Sequence, residues 1–389
     1  MISTLAAIAR ARRLRNAAKP VHPLLMTFNV TDRCNAKCAM CEIHKWSSGA
    51  EKELSVDDYA RVVRDPAMSR LQVARITGGE PFLRDDLADI FRLTVDYTAC
   101  RIFYITTNGS MPDRVERFVR GAGALGEKLH IQVSLDAVDG THDAIRGVEG
   151  FEARAIETLR RLSELKKEFG FHAGINQTVM KGTAAQMYAI HDLAAELGVG
   201  HNMFLGARYH EGKGMEDADP FSAPLGFEPE DGMTPVEVES FYRIHREIKD
   251  RADSARRRGE FAGAFLRDVS EEYLNEGGRN RALLKRFAPA PPCMAMFTHF
   301  RLTSGGDVIP CSVMRGDSAG NVTEQRFSEI WHGAAADAAR RKVIACKGCW
   351  IECDINPSVF FSGDVISWFA KKMAVDPGFR SRYARRMRF

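Results

Sequence analysis

Between residues 24 and 205 the chain alternates six times between short strand-like runs and longer amphipathic stretches. No other feature constrains the fold as tightly. The runs Leu24–Val30, Val73–Thr77, Arg101–Thr107, Leu129–Leu135, His172–Val179 and Val199–Leu205 are rich in β-branched or aromatic residues and are predicted as strands. Between them Phe151, Ala155, Leu159 and Leu162 share one helical face, as do Met187, Ile190, Leu193, Ala194 and Leu197. Ser55, with Asp57 and Asp58 close behind it, reads as a helix start. Six strand–helix repeats predict an α/β fold with a parallel sheet and right-handed crossovers. Two closures fit: an open doubly wound sheet or an incomplete barrel. In either, function collects at the strand C-termini. The polar motifs fall there: a Cys run after the first strand, Gly78-Gly79-Glu80-Pro81 after the second, Thr107-Asn108-Gly109 after the third, and Ser134 and Asp136 at the fourth.

Downstream the pattern changes. Residues 209–234 read as loop, Thr234-Pro235 opens a charged helix to about Arg258, and a second helical run covers about Asp268 to Phe287. Ala288-Pro289-Ala290-Pro291-Pro292 is the predicted boundary. After it His299–Thr303, a Ser304-Gly305-Gly306 turn and Asp307–Cys311 predict a hairpin in a small Cys-bearing unit. The expected division is a basic N-terminal helix (1–20), an α/β unit (21–206), a helical connector (207–292), a Cys-rich domain (293–365) and a basic amphipathic tail (366–389).

Composition closes off other classes. With 45% hydrophobic and 27% charged residues the chain is neither disordered nor collagenous. The longest stretch without Asp, Glu, Lys or Arg is the 14 residues Phe287–Phe300, too short and too proline-rich to span a bilayer. Arg10, Arg12, Arg13 and Arg15 interrupt any secretory h-region, so a reducing cytosol is the expected compartment. Nine cysteines there point to metal or redox chemistry rather than disulfides. Residues 1–20 carry five Lys/Arg and no acid, and residues 370–389 carry seven Lys/Arg and one acid, against a net charge of +4. The body is therefore acidic, and no nucleic-acid partner is expected. The basic ends, with Ile366, Trp368, Phe369, Phe379 and Phe389 in the second, read either as solvated segments docking on that body or as a peripheral contact with an anionic membrane face.

Cys34, Cys38 and Cys41 form C-x3-C-x2-C in a polar loop containing Asp32, Arg33, Asn35 and Lys37. Three thiolates with no fourth Cys, and only His44 nearby, suit an iron–sulfur cluster with one open iron better than a closed zinc site. The run Cys34-Asn35-Ala36-Lys37-Cys38-Ala39-Met40-Cys41 resembles the radical S-adenosylmethionine (SAM) superfamily. That resemblance implies a partial (β/α)6 barrel over about residues 20–206, with the three cysteines on a [4Fe–4S] cluster whose unique iron binds SAM. It also implies reductive cleavage of SAM to a 5′-deoxyadenosyl radical, Met40 on the adenine, and an electron donor such as a flavodoxin or ferredoxin. Thr77-Gly78-Gly79-Glu80-Pro81 is similar to the family's GGEP element, which places Gly78, Gly79 and Glu80 at the SAM amino group. Thr106-Thr107-Asn108-Gly109 and Ser134-Leu135-Asp136 are similar to its strand-end segments at the ribose and carboxylate, and Arg146 to an arginine near SAM.

Cys293, Cys311, Cys346, Cys349 and Cys353, with Trp350 inside the last run, resemble the SPASM and Twitch auxiliary domains. Five cysteines imply one auxiliary [4Fe–4S] cluster, held by Cys293 and Cys311 with one or two of Cys346, Cys349 and Cys353, the first two preferred. A zinc site on four of these thiolates is the rival. Cys100 reads as an inert core thiol. Gln177, His201, Asn202, Arg208, Tyr209 and His210 are candidates for the barrel mouth. The expected function is hydrogen abstraction from an unidentified lipid-linked, sugar or peptide substrate. The alternatives are a peptide or protein maturase using a separate recognition partner, and a non-enzymatic zinc scaffold or regulator.

Overall fold

Strand order decides between the two closures. The computed structural model describes residues 2–41, 43, 53–207, 229, 232–255 and 261–387. In it β1 (Leu25–Asn29), β2 (Val73–Thr77), β3 (Ile102–Thr107), β4 (Leu129–Ser134), β5 (His172–Val179) and β6 (Gly200–Leu205) lie side by side in chain order, all parallel. A doubly wound sheet reverses at a switch point, and this order has none. Right-handed crossovers without a reversal place the connecting helices on one face. The fold is the incomplete barrel.

Alternation along the strands then separates two surfaces. Ala74, Ile76, Phe103, Ile105, Ile131, Val133 and Ile175 pack with Tyr59, Ile90, Phe91, Phe118, Leu159 and Leu162 of the helices. Each large side chain buried this way contributes roughly 1.5–3 kcal/mol. The other surface carries Thr27, Arg75, Tyr104, Gln132, Asn176 and Asn202, which strand register places on one face, and lines the lumen. The helix starts follow local chemistry. Ser55 Oγ accepts from Asp58 N at 3.1 Å while the Asp58 carboxylate accepts from Ser55 N at 3.1 Å, and helix Val56–Val63 follows. Thr234 and Glu237 repeat the exchange at helix Pro235–Ala255.

The Pro-rich break does not detach the Cys-rich unit. β7 (His299–Leu302) pairs in parallel with β1, and β8 (Val308–Ile309) pairs antiparallel with β7, extending the sheet to eight strands. The hairpin expected inside a separate small unit thus covers the open edge of β1, whose N–H and C=O groups need partners.

A second core joins helices Pro235–Ala255 and Phe261–Leu284 to the C-terminus, burying Tyr242, Tyr273, Trp350, Trp368, Phe379 and Tyr383. Trp368 and Phe379 of the basic tail are covered by protein, as in the docking reading of that segment; Ile366 stays exposed, and Phe389 lies outside the described residues. The N-terminal helix Ile2–Asn16 docks as well, with Ala11 buried among Met294, Phe297, Cys311 and Val343. Among the described residues no helix is long and apolar enough to cross a membrane.

Candidate active site

Residues 30–41 leave β1 as a loop in which Cys34, Cys38 and Cys41 are half-buried. Backbone clamps hold both flanks. On one side Gly79 N donates to Thr31 O (2.7 Å) and Glu80 N to Arg33 O (2.8 Å). On the other Lys37 N donates to Arg146 O (2.9 Å) and Ala39 N to Ile145 O (2.8 Å). A Cβ on Gly79 would lie 1.9 Å from Arg33 O, and one on Gly147 would lie 2.7 Å from Lys37 O. The close approach that glycine permits is therefore made to the cysteine loop itself. Asn35, between the first two cysteines, accepts from Asn108 Nδ2 (2.8 Å) and donates to Ser110 Oγ (2.9 Å), tying the loop to the end of β3.

Glu80 is buried. Its carboxylate accepts from Thr107 Oγ1 (2.7 Å), Asn108 N (2.7 Å) and Phe82 N (3.0 Å). Burial outweighs these bonds and pushes its carboxyl up to about 7. Asp136 is fully enclosed, and both oxygens are taken: Oδ1 accepts from Thr178 N (2.9 Å) and Oδ2 from Arg146 Nε (2.8 Å). Burial acts to raise its carboxyl, but Arg146 and His142 hold it below the ordinary value. Asp136 positions Arg146, whose Nη1 reaches Cys38 Sγ at 3.7 Å. Thr107, Asn108 and Ser134 are buried at the same rim, and Met40 is half-buried beside the last cysteine.

The donor set fits an iron–sulfur cluster. Ala36 N points at Cys34 Sγ (3.5 Å), so N–H and guanidinium donors face two of the three sulfurs. Burial first, then the charges of Glu80, Cys38 and Cys41, push the Cys34 thiol up to about 11. Bound iron reverses this, because a coordinated thiol loses its proton. Among the described residues no three His, Cys, Asp or Glu side chains close on a single metal ion.

Four downstream cysteines form a second group. Burial raises the thiols of Cys311 and Cys349, and Cys293 adds to both; Cys293 itself is pushed up to about 11 by burial and then by Cys346. Gly348 N points at Cys346 Sγ (3.4 Å). Trp350 anchors this run by donating Nε1–H to Leu274 O (3.0 Å) and stacking beneath Arg281 at 4.0 Å. Arg15 of the N-terminal helix donates Nε–H to Cys293 O (2.7 Å). Cys353 stands apart. Its Sγ is 3.0 Å from Arg301 Nη2, and its carbonyl accepts from Arg75 Nη1 at 2.7 Å.

Of the described barrel-mouth candidates Asn202 lines the lumen, donating to Gln132 Oε1 (3.1 Å) and Asn176 Oδ1 (3.0 Å). His201 and Gln177 pair with each other at 3.0 Å on the opposite surface, one residue out of phase with it. Arg208, Tyr209, His210 and His44 lie outside the described residues. The sequence reading passed over Asn35, His142, Gly147, Arg75 and Arg301. For the two arginines the signal was present: each is a charged residue inside a predicted strand.

The chain matches the radical SAM superfamily over residues 28–201 and the iron–sulfur cluster-binding SPASM domain over residues 293–350. It is 28% identical to the AdoMet-dependent heme synthase of Methanosarcina barkeri, over 80% of this chain and 83% of that protein. It is 27% identical to the pre-heme d1 synthase of Dinoroseobacter shibae, over 54% of this chain and 49% of that one. In fold it is similar to Streptococcus suis SuiB bound to S-adenosylmethionine, with a TM-score of 0.59 and 16% identity, covering 85% of this chain and 70% of SuiB. It is also similar to anSMEcpe with bound AdoMet and a peptide, with a TM-score of 0.50 and 17% identity over 82% of each chain. The first matched segment spans the clamped cysteine loop, and the second ends at Trp350, short of Cys353. The chain thus carries a radical SAM domain over residues 28–201 and a C-terminal SPASM-type iron–sulfur domain over residues 293–350, the domain pair of a radical SAM enzyme.

Proposed function

We propose that this enzyme abstracts hydrogen from a substrate held in the polar lumen, with one auxiliary [4Fe–4S] cluster on Cys293, Cys311, Cys346 and Cys349. Cys34, Cys38 and Cys41 would hold a [4Fe–4S] cluster which, with SAM, would supply the 5′-deoxyadenosyl radical that such abstraction needs. The chain's own residues do the holding. The Gly78–Glu80 and Ile145–Gly147 clamps fix the three thiols, and Arg146 sets a positive charge against Cys38. Gly78, Gly79 and Glu80 present the SAM amino group with a rigid rim, while Met40, Thr107, Asn108 and Ser134 surround the nucleoside. The observation that carries this reading is the double backbone clamp, which holds both flanks of the loop that bears the three thiols.

Tetrapyrroles are the first substrate class to test, because the likeness to a heme synthase extends over 80% of this chain. A lipid-linked substrate loses its main support, since the aromatic side chains Trp368 and Phe379 of the basic tail are buried in the second core. Division of the chain at the Pro-rich break remains part of the proposal, with the 293–365 unit carrying the auxiliary cluster for substrate binding or electron transfer.

Anaerobic reconstitution tests the assignment. Wild type should bind about eight irons, four per cluster. The Cys34→Ala/Cys38→Ala/Cys41→Ala variant should lose about half of these and all reductant-dependent 5′-deoxyadenosine. Cys349→Ala should lose the other half and keep SAM cleavage, whereas Cys353→Ala should keep all the iron. A wild type with about four irons and one zinc would defeat the auxiliary-cluster assignment.

A further inference from the structure

Arg75 and Arg301 stand on the lumenal surface of β2 and β7, each in register with Thr27 of the strand between them. A charge inside a barrel sheet is costly unless it is paired. Arg301 is paired: its Nε donates to Asp354 Oδ1 at 2.8 Å, and Asp354 also accepts from Ser312 N at 3.1 Å. Arg75 has no carboxylate partner among the described residues. Its one hydrogen bond there is to the Cys353 carbonyl, and Tyr104 is its neighbour across the register. The two arginines and Asp354 leave one net positive charge facing the lumen.

Two polar atoms on the same surface are also orphaned. His299, two residues before Arg301, is 3% exposed, and its Nε2 is buried without a hydrogen-bond partner among the described residues. Asn29, two residues after Thr27, has its Oδ1 in the same condition. A cation and two polar atoms lacking partners in one lumen describe a site built for a ligand's polar group. Arg75 also lies only three residues below Gly78 on its strand, roughly 10 Å along it, while the Cys353 carbonyl it holds belongs to the segment that carries Cys346 and Cys349.

We propose that Arg75, supported by Arg301, anchors a carboxylate of the substrate here. One net positive charge matches a single carboxylate group, and a guanidinium can hold both of its oxygens at once. This rests on the lumen being the substrate site.

The test uses the anaerobically reconstituted full chain with succinate or inorganic phosphate as probes, against sodium chloride at equal ionic strength. Succinate should raise the melting temperature of wild type by about 2 °C. Arg75→Met and Arg75→Gln should both lose that shift; the second keeps a donor for the Cys353 carbonyl without the charge. Arg75→Met should itself melt no lower than wild type in chloride, because it removes a buried charge that has no carboxylate partner. No shift in wild type, an equal shift in Arg75→Gln, or a larger shift with phosphate than with succinate overturns the proposal. Substrate-independent SAM cleavage by wild type separates the two readings. If it is absent, the barrel assignment fails; if it is present while succinate has no effect, only the carboxylate anchor fails.

Discussion

Glu80 shows how one side chain ties three segments together. Its carboxylate takes donors from Thr107, Asn108 and Phe82, while its own N–H holds the cysteine loop at Arg33 O. Glu80→Gln keeps the shape but turns an acceptor oxygen into an NH2 group facing a donor. At least one buried N–H or O–H then loses its partner, at a cost of roughly 1–3 kcal/mol. We expect a lower denaturation midpoint together with weaker SAM binding; a variant with wild-type urea unfolding would show that these bonds do not hold the rim. Arg146 carries a larger penalty. Arg146→Met strands the enclosed Asp136 carboxylate, and losing one partner of such a pair costs roughly 3–5 kcal/mol. Asp136→Asn in the same chain should recover much of that loss in an unfolding titration.

At the scale of elements, the cysteine loop has no regular structure of its own and takes its shape from two neighbours. Gly79→Ala puts a methyl group 1.9 Å from Arg33 O, so the Gly78–Glu80 segment and the loop must separate. The strands themselves do not depend on that contact. Gly79→Ala should keep its far-UV circular dichroism and lose the iron assigned to Cys34, Cys38 and Cys41 on reconstitution, as should Gly147→Ala to a smaller degree. Full iron in Gly79→Ala would mean the loop closes around the cluster without the clamp. The strand-end motifs were legible because glycine pairs and Cys spacings are local. Their partners were not, because Arg33 O and Lys37 O are backbone atoms that any residue supplies.

Across the whole molecule, buried histidines set an acid limit. Burial holds His245 and His299 neutral, lowering each to about 3 from 6.5. The Lys249 and Arg246 charges add to this at His245; at His299 Arg75 and Arg301 add to it while Asp354 opposes them. As pH falls below 6.5 the unfolded chain takes up these protons and the folded chain does not. Their stabilising contribution is therefore present above 6.5 and is lost toward the folded values, by roughly 1.4 kcal/mol per histidine per pH unit. The urea midpoint should drop between about pH 7 and pH 5.5, and His245→Gln should reduce the drop. An unchanged midpoint over that window would rule out these two groups as the cause.

The six strands, their helices and the three-cysteine loop followed from the residues alone, since periodicity and spacing act over a few neighbours. Which surface of each strand faces the lumen was also implicit, although His201 and Gln177 required the register before their phase could be known. What the tertiary structure decided was contact over long separations. It chose the incomplete barrel through an order without reversal and placed the β7–β8 hairpin on the edge of β1. It buried Trp368 and Phe379 against helices more than 80 residues upstream. It also set Cys353 against Arg75 and Arg301. An amphipathic pattern states only that one surface must be covered, and a cysteine spacing only that sulfurs can meet. Which partner covers the one and joins the other depends on chain closure across the whole fold, and that information is spread over the sequence rather than held in any segment of it.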